Sequence, residues 1–314
     1  MDVHLESSNI LILGSSGLIG SAFSRKAREH RYSNVLTPSR GELDLENETA
    51  VNLFFEQVKP EIVILAAGKV GGIVANRNFP FDFLKENLRI QMSVANASVQ
   101  NKVRRTVIFG SSCMYPKDCV QPMPVEKLWT GELEVSSLSY AVSKLAGIQL
   151  GLSFNQQNSC QRFLCVIPNS VYGPNDNFNP ESGHVLSSLI ARFHHAKSIG
   201  LGEVELWGTG NPRREFLFSD DLASAVFMML KNDINTTYAP VNIGCGFDVS
   251  IRELAEMVAG VVGYEGEILW NSDFPDGAHR KLLDSSYLHQ LGWATKTGLV
   301  EGIKKTYEWY KNDR

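Results

Sequence analysis

Ile10-Leu11-Ile12-Leu13-Gly14-Ser15-Ser16-Gly17-Leu18-Ile19-Gly20 is the stretch on which the fold turns. A short apolar run ends in a turn carrying three glycines, and a helix-compatible segment, Ser21 to Arg28, follows at once. Backbone N–H groups at a helix N-terminus bind phosphate, and glycines let a ligand come close enough to use them. A glycine turn by itself also occurs wherever a strand and helix pack closely. Its place at the head of an alternating pattern points to a dinucleotide held by Gly14, Ser15, Ser16, Gly17, Leu18, Ile19 and Gly20.

Outward from that turn, short β-branched runs alternate with longer amphipathic segments. Candidate strands are Ile10-Leu13, Val35-Thr37, Ile62-Ala66, Thr106-Phe109 and Phe163-Ile167, and candidate helices include Phe81 to Gln100 and Tyr140 to Gln157. The alternation predicts an α/β protein with a Rossmann-type, doubly wound parallel sheet. After Pro168 the rhythm breaks at Tyr172-Gly173-Pro174-Asn175-Asp176-Asn177, where a second region begins. Later, Ser250-Ile251-Arg252-Glu253 matches a capping box at the head of a helix. The expected division is a nucleotide-binding domain over 1–168, rejoined by about 216–246, and a smaller α/β substrate-binding domain within 169–314. With no repeat, low-complexity tract or flexible linker, the two regions should pack closely around a cleft.

The composition limits the rest. A chain of 314 residues and 34.8 kDa, 43% hydrophobic and 20% charged, excludes disorder, collagen and disulfide scaffolds. Thirty basic against 34 acidic residues give a net charge of -4, so no global field draws nucleic acid or an anionic membrane, and any anionic ligand needs a local cluster. Met1 to Ser8 lacks the basic cap and apolar run of a secretory signal. No uninterrupted apolar run approaches the about 20 residues of a membrane helix. Five scattered cysteines without CxxC spacing suit reduced thiols in the cytoplasm, and no metal site is expected.

Thr37-Pro38-Ser39-Arg40 ends the second candidate strand, where NAD-binding folds place a carboxylate on the ribose hydroxyl. Arg40 instead favours a 2′-phosphate and hence NADP(H); a solvated loop arginine beside Glu42 and Asp44 is the plain alternative. Ala66-Ala67-Gly68 supplies small residues over which a cofactor can lie, or against which a helix can pack. Ser111 follows the fourth strand, and Tyr140 and Lys144, four apart, share a helix face. A phenol of pKa about 10 gives up its proton more readily beside an ammonium, which makes Tyr140 a candidate general acid with its pKa drawn down by Lys144. Ser111 can donate to the same carbonyl oxygen.

Gly14/Gly17/Gly20 with Ser111 and Tyr140/Lys144 resemble the extended short-chain dehydrogenase/reductase family. Blocks along nearly the whole chain resemble its GDP-L-fucose synthase branch: Gly110-Ser111-Ser112-Cys113-Met114-Tyr115-Pro116, Gly183-His184-Val185-Leu186, Arg192-Phe193-His194, Trp207-Gly208-Thr209-Gly210, Arg214-Glu215-Phe216-Leu217 and Pro275-Asp276-Gly277 with Arg280-Lys281-Leu282-Leu283-Asp284. The resemblance implies an NADPH-dependent enzyme that epimerises GDP-4-keto-6-deoxy-D-mannose at C3 and C5 and reduces the C4 ketone to give GDP-L-fucose. It implies Cys113 as base and His184 as acid beside Ser111, Tyr140 and Lys144. Ala66, Ala67, Lys144, Pro168, Val171 and His184 would join the glycine turn and Arg40 around the cofactor, while Arg192, Trp207, Arg214 and Asp276 would hold the GDP-sugar. A cytoplasmic homodimer is implied as well.

Some positions depart from the branch. Pro168-Asn169-Ser170 stands where Pro-Thr-Asn is common, Ser16 where some relatives carry a basic residue, and His279 where some carry proline. Ser170 and His279 keep open a sister enzyme acting on another GDP-4-keto sugar, on the way to GDP-L-colitose or a deoxyheptose. A non-catalytic NADP-binding regulator is the reading from a different class, and the retained Tyr140/Lys144 pair weighs against it.

Overall fold

Four apolar runs become strands buried on both faces: β1 (Ile10–Leu13), β3 (Ile62–Leu65), β4 (Arg105–Phe109) and β5 (Phe163–Pro168), with the short β2 (Val35–Leu36) at the edge. The computed structural model describes residues 5–234, 237–274 and 276–312; residues 1–4, part of the stretch read for a secretory signal, and Pro275 of the Pro275-Asp276-Gly277 block lie outside them. Between the strands run α1 (Leu18–Glu29), α2 (Glu48–Val58), the short α3 (Ile73–Asn78), α4 (Pro80–Gln100) and α5 (Leu138–Gln157).

Strand residues alternate between two faces, and the sequence fills both. Ile10 and Ile12 meet Phe23 and Ala27 of α1 on one side, whereas Leu11 and Leu13 meet Val51 and Phe55 of α2 and Val94 and Ala97 of α4 on the other. Such two-sided burial is why these strands read as continuous apolar runs. Arg105 is the exception within β4. Its charge ends the sequence reading at Thr106, yet the strand includes it because the guanidinium is tied to the Gln161 carbonyl and to Asp233.

Past β5 the chain builds the second region and returns. It forms β6 (Ser170–Tyr172), α6 (Val185–Ser198), β7 (Glu203–Trp207), β8 (Arg213–Arg214) and β9 (Phe216–Phe218), the last lying parallel to β6. Then α7 (Ser219–Lys231) packs on α1, and β10 (Val241–Ile243) adds to β5 with Val241 opposite Val166. The main sheet has the order β10-β5-β4-β3-β1-β2, every pair parallel.

Finally the chain lays down β11 (Val249–Ser250), α8 (Ile251–Val262), β12 (Glu267–Asn271), β13 (Arg280–Lys281), α9 (Ser286–Gln290) and α10 (Leu299–Asn312). The capping box forms, with Ser250 Oγ accepting from Glu253 N and Glu253 accepting from Ser250 N. A separate core gathers Leu186, Ile190 and Phe193 of α6, Leu254 and Val258 of α8 and Ile303 of α10. Among the described residues no helix is long and apolar enough to cross a membrane.

Gly20 shows how tightly the first crossover packs. A Cβ there would stand 2.1 Å from the Gly14 carbonyl oxygen, a backbone atom that cannot step aside. Gly20→Ala should therefore cost about 1–3 kcal/mol as an overpacked site, read as a lower urea midpoint with an unchanged slope.

Candidate active site

The carboxyl ends of β1, β3, β4 and β5 open into a single cavity of about 1330 Å³ between the main sheet and the second region. Open parallel sheets bind their ligands at this end. Gly14 to Ile19, Arg40, Ala66, Ala67, Pro168, Val171 and His184 line it, together with Ser111, Cys113 and Tyr140 and with Arg192, Trp207, Arg214 and Asp276. Two residues named from the sequence do not reach its wall. Gly20 lies behind the turn, where it packs α1 onto β1, and Lys144 is buried beneath Tyr140 with Nζ 5.7 Å from the ring centroid.

The glycine turn fits a dinucleotide. Gly14 adopts φ +85° and passes so near β3 that a Cβ would fall 2.7 Å from Ala67 N. At Gly17, the residue capping α1, a Cβ would meet only the Gly14 carbonyl oxygen, at 3.6 Å, and would otherwise fill the cavity. The first N–H groups of α1 need partners from outside the helix. Arg40 stands at the far end of the cavity with 85% of its side chain exposed, leaning on Glu46 at 3.7 Å, and Glu46 also holds Arg89 at 3.6 Å. Its guanidinium is thus open to the cavity.

Burial overturns one expectation about the central pair. The Tyr140 phenol is pushed well above its ordinary value, first by burial and then by Cys113, with the hydrogen bond to Ser111 pulling only partly back. Lys144, likewise buried, is pushed down to about 8. Spacing placed the two side chains together, but the low dielectric around both favours their neutral forms more than the ammonium favours a phenolate. Tyr140 therefore holds its proton at neutral pH. Ser111 lies at the head of the turn after β4, and its Oγ accepts from Cys113 N at 3.3 Å.

Cys113 and His184 depart in opposite directions. Burial alone would push the Cys113 thiol up, yet Lys281, hydrogen bonds with Ser111 and Ser137, and the charge of His184 together hold it below the ordinary thiol value. Burial would likewise push the imidazole down; hydrogen bonding to Asp176, the Asp176 charge and Cys113 outweigh it and raise it. Asp176 Oδ1 lies 3.2 Å from His184 Nδ1, and the same carboxylate is fixed by Asn177 N at 2.8 Å and by the Ser187 hydroxyl. The pair is biased toward thiolate and imidazolium.

On the other wall, Trp207 stacks on Phe274 with centroids 4.4 Å apart and planes at 9°, leaving the indole half exposed to the cavity. The Arg192 guanidinium lies 5.8 Å from the Trp207 ring centroid. Arg214 projects from β8 and is pushed below the ordinary arginine value by burial, despite the opposing charges of Cys113, Asp276 and Glu134. Asp276 accepts from Thr209 N at 2.9 Å and Thr209 Oγ1 at 2.7 Å, which closes a loop below Trp207. Ser170 lines the cavity. His279 does not: it is exposed just before β13, where its carbonyl accepts from Arg213 N at 2.8 Å, so its side chain offers no reading of a ligand.

Three partners carry site chemistry that the sequence reading left without a role. Lys281 stands 3.8 Å from Cys113 Sγ, Asp176 orients His184, and Glu215 is wholly buried where β9 meets β5 and β13. Each lay inside a quoted motif, but only the folded chain shows what it faces.

A parallel sheet with a glycine turn at its first crossover, and a Ser–Tyr–Lys set at the mouth of the fourth strand, define a nucleotide-dependent oxidoreductase or epimerase of the short-chain type. The chain belongs to the NAD dependent epimerase/dehydratase family, whose pattern matches residues 10–244. It is 46% identical over 305 residues to GDP-L-fucose synthase 1 of Arabidopsis thaliana, covering 97% of this chain and 94% of that one. Among solved structures, a GDP-L-fucose synthetase of Naegleria fowleri bound to NADP superimposes with TM-score 0.90 at 25% identity, covering 100% of this chain and 96% of the other. A GDP-mannoheptose C4 reductase of Campylobacter jejuni with NADP bound does so with TM-score 0.87 at 37% identity, covering 98% and 99%.

The His184–Asp176 contact sets a measurable titration. Removing the carboxylate leaves burial as the dominant influence, so Asp176→Asn should carry the His184 midpoint from above to below the ordinary histidine value of about 6.5, followed by the NMR shift of its ring protons against pH.

Proposed function

We propose that this chain is a bifunctional NADPH-dependent 3,5-epimerase and 4-reductase that converts GDP-4-keto-6-deoxy-D-mannose to GDP-L-fucose. The observation carrying this reading is the acid/base pair of opposite bias, Cys113 and His184, in one cavity with the Ser111/Tyr140 donors. A plain ketone reductase needs the donors and has no use for the pair. The similarity to GDP-L-fucose synthase 1 along nearly the whole chain supports the same substrate.

Hydrogens on C3 and C5 are acidic because both carbons flank the C4 carbonyl. The Cys113 thiolate takes such a proton: an S–H bond forms, a C–H bond breaks, and the electron pair moves into an enolate with its charge on the C4 oxygen. Ser111 and Tyr140 donate to that oxygen, where the charge develops. His184, protonated, returns a proton to the carbon from the opposite face, and inversion follows. Each inversion leaves a thiol and a neutral imidazole, so the pair must exchange protons with solvent before the second carbon turns over. NADPH, when bound along the glycine turn with its 2′-phosphate toward Arg40, supplies the hydride for C4. Tyr140 then gives its proton to the C4 oxygen.

We assign the glycine turn, Arg40, Ala66, Ala67, Lys144, Pro168, Val171 and His184 to the cofactor, with Gly20 acting through packing and Lys144 from beneath Tyr140. Arg192 and Arg214 are assigned to the pyrophosphate, with Trp207 and Asp276 on the nucleoside side. The division of labour is a cofactor domain over 1–168 with about 216–246, and a substrate domain in the remainder of 169–314. Five cysteines without a disulfide support a cytoplasmic setting. Exposed apolar side chains on the packed helices α4 and α5, Met92, Leu138 and Val142, support a homodimer. Ser170 on the cavity wall and the likeness to a GDP-mannoheptose C4 reductase favour, as a second reading, a sister enzyme on another GDP-4-keto sugar.

Incubation with GDP-4-keto-6-deoxy-D-mannose and NADPH in heavy water should give GDP-L-fucose with deuterium at C3 and C5, identified by NMR. Reduction without deuterium would leave a plain reductase, and an untouched ketone would exclude the substrate. Arg40→Ala should raise the KM for NADPH about tenfold, the loss expected of one charge-assisted phosphate contact, and leave that for NADH within about twofold in the same steady-state assay.

A further inference from the structure

Lys281 reaches the cavity from β13, 168 positions along the chain from Cys113, and stops with Nζ 3.8 Å from the sulfur. Its backbone is pinned there. Glu215 N and Asn169 Nδ2 both donate to the Lys281 carbonyl, each at 3.2 Å. The Glu215 carboxylate, fully buried, accepts in turn from Asn169 Nδ2 at 2.7 Å, Leu283 N at 3.0 Å and Gly246 N at 2.8 Å. Lys281 is therefore delivered to Cys113 by a bracket whose Glu215, Asn169 and Leu283 are all buried.

Other charges face the same sulfur. His184, held by Asp176, approaches from the head of α6; Arg214 comes from β8; Tyr140, from α5, is neutral at ordinary pH. Arg214 has Asp276 and Glu134 near it as counter-charges. Lys281 differs: among the described residues no carboxylate forms a salt bridge with it. Its ammonium faces the Cys113 sulfur at 3.8 Å.

We infer that Lys281 is a positioning residue that keeps Cys113 in its thiolate form and drives the thiol to shed its proton after each carbon inversion. This rests on the epimerase reading above. When the thiolate takes a proton from carbon, S–H forms and the ammonium loses its counter-charge. The unbalanced cation then favours loss of the S–H proton to solvent, which re-forms the base. An enzyme that inverts two carbons in one visit gains twice from that restoring force.

The test reads the thiol directly. In Lys281→Met, alkylation of Cys113 by iodoacetamide, followed peptide by peptide in mass spectra, should slow about tenfold at pH 7, the loss expected when the thiolate fraction falls by one pH unit. Lys281→Arg should restore the rate to within about threefold, and Lys281→Gln provides the same reading should the methionine variant fold poorly. With keto sugar in heavy water, deuterium wash-in at saturating substrate should fall by a similar factor while KM changes less than about threefold. An unchanged alkylation profile overturns the inference. So does a rise in KM with wash-in retained at saturation, which would make Lys281 a substrate contact alone. Absence of wash-in from the unaltered protein would refute the epimerase reading instead, and alkylation would still decide the role of Lys281.

Discussion

The Glu215 carboxylate has no contact with solvent, and it accepts hydrogen bonds from three segments: the end of β5 through Asn169, the turn after β10 through Gly246, and the stretch after β13 through Leu283. Burial pushes its pKa above the usual carboxylate range, against the pull of those donors. An unpaired buried acceptor costs about 1–3 kcal/mol, so each of the three segments is held to its place by the others. The floor of the cavity, including the approach of Lys281 to Cys113, depends on this one group. A buried carboxylate set between the main sheet and the second region adds hydrogen-bond geometry to the apolar contacts that fix their relative position.

Electrostatics above that floor follow one rule applied in two ways. Where burial acts without an opposing charge close enough to win, as at Tyr140 and Lys144, it favours the neutral form, and the phenol stays a donor. Where burial meets a fixed charge of opposite sign, as at Cys113 beside Lys281 and His184 beside Asp176, the shift runs toward the charged form. The same cavity thus holds one pair drawn toward neutral forms and another drawn toward charged ones. Their roles are separated by what lies behind each side chain.

The sheet was legible in the sequence because its strands are buried on both faces. Two-sided burial demands continuous apolar runs such as Ile10–Leu13 and Ile62–Leu65, and no polar residue interrupts the signal. The small pairings were not. β8, β11 and β13 are two residues each, too short for any period to show, and they exist because partners from distant segments supply the hydrogen bonds. At the site, residue types at motif spacing led to Tyr140 and the glycine turn, and the family resemblance led to Cys113 and His184. What escaped was pairing across the fold. Lys281 and Asp176 sit in blocks whose sequence carries no sign of what they face, spacing gave the Tyr140/Lys144 contact without its dielectric, and the exposed side chain of His279 could not be told from a pocket residue by adjacency to Arg280.

The chain passes between its two halves again and again: at the end of β5, between β8 and β9, after β10, and once more on the way from β13 to α9. A body joined by a single strap can swing like a door, but one stitched at several points resists rotation about any one of them. At the rim of the cleft, the 69–74 stretch leading into α3 and the 177–183 loop before His184 clasp one another through Gly72 N, which donates to the Ser182 carbonyl at 2.9 Å. On that side the rim of the cavity is thus closed by a main-chain hydrogen bond between two loops distant in sequence.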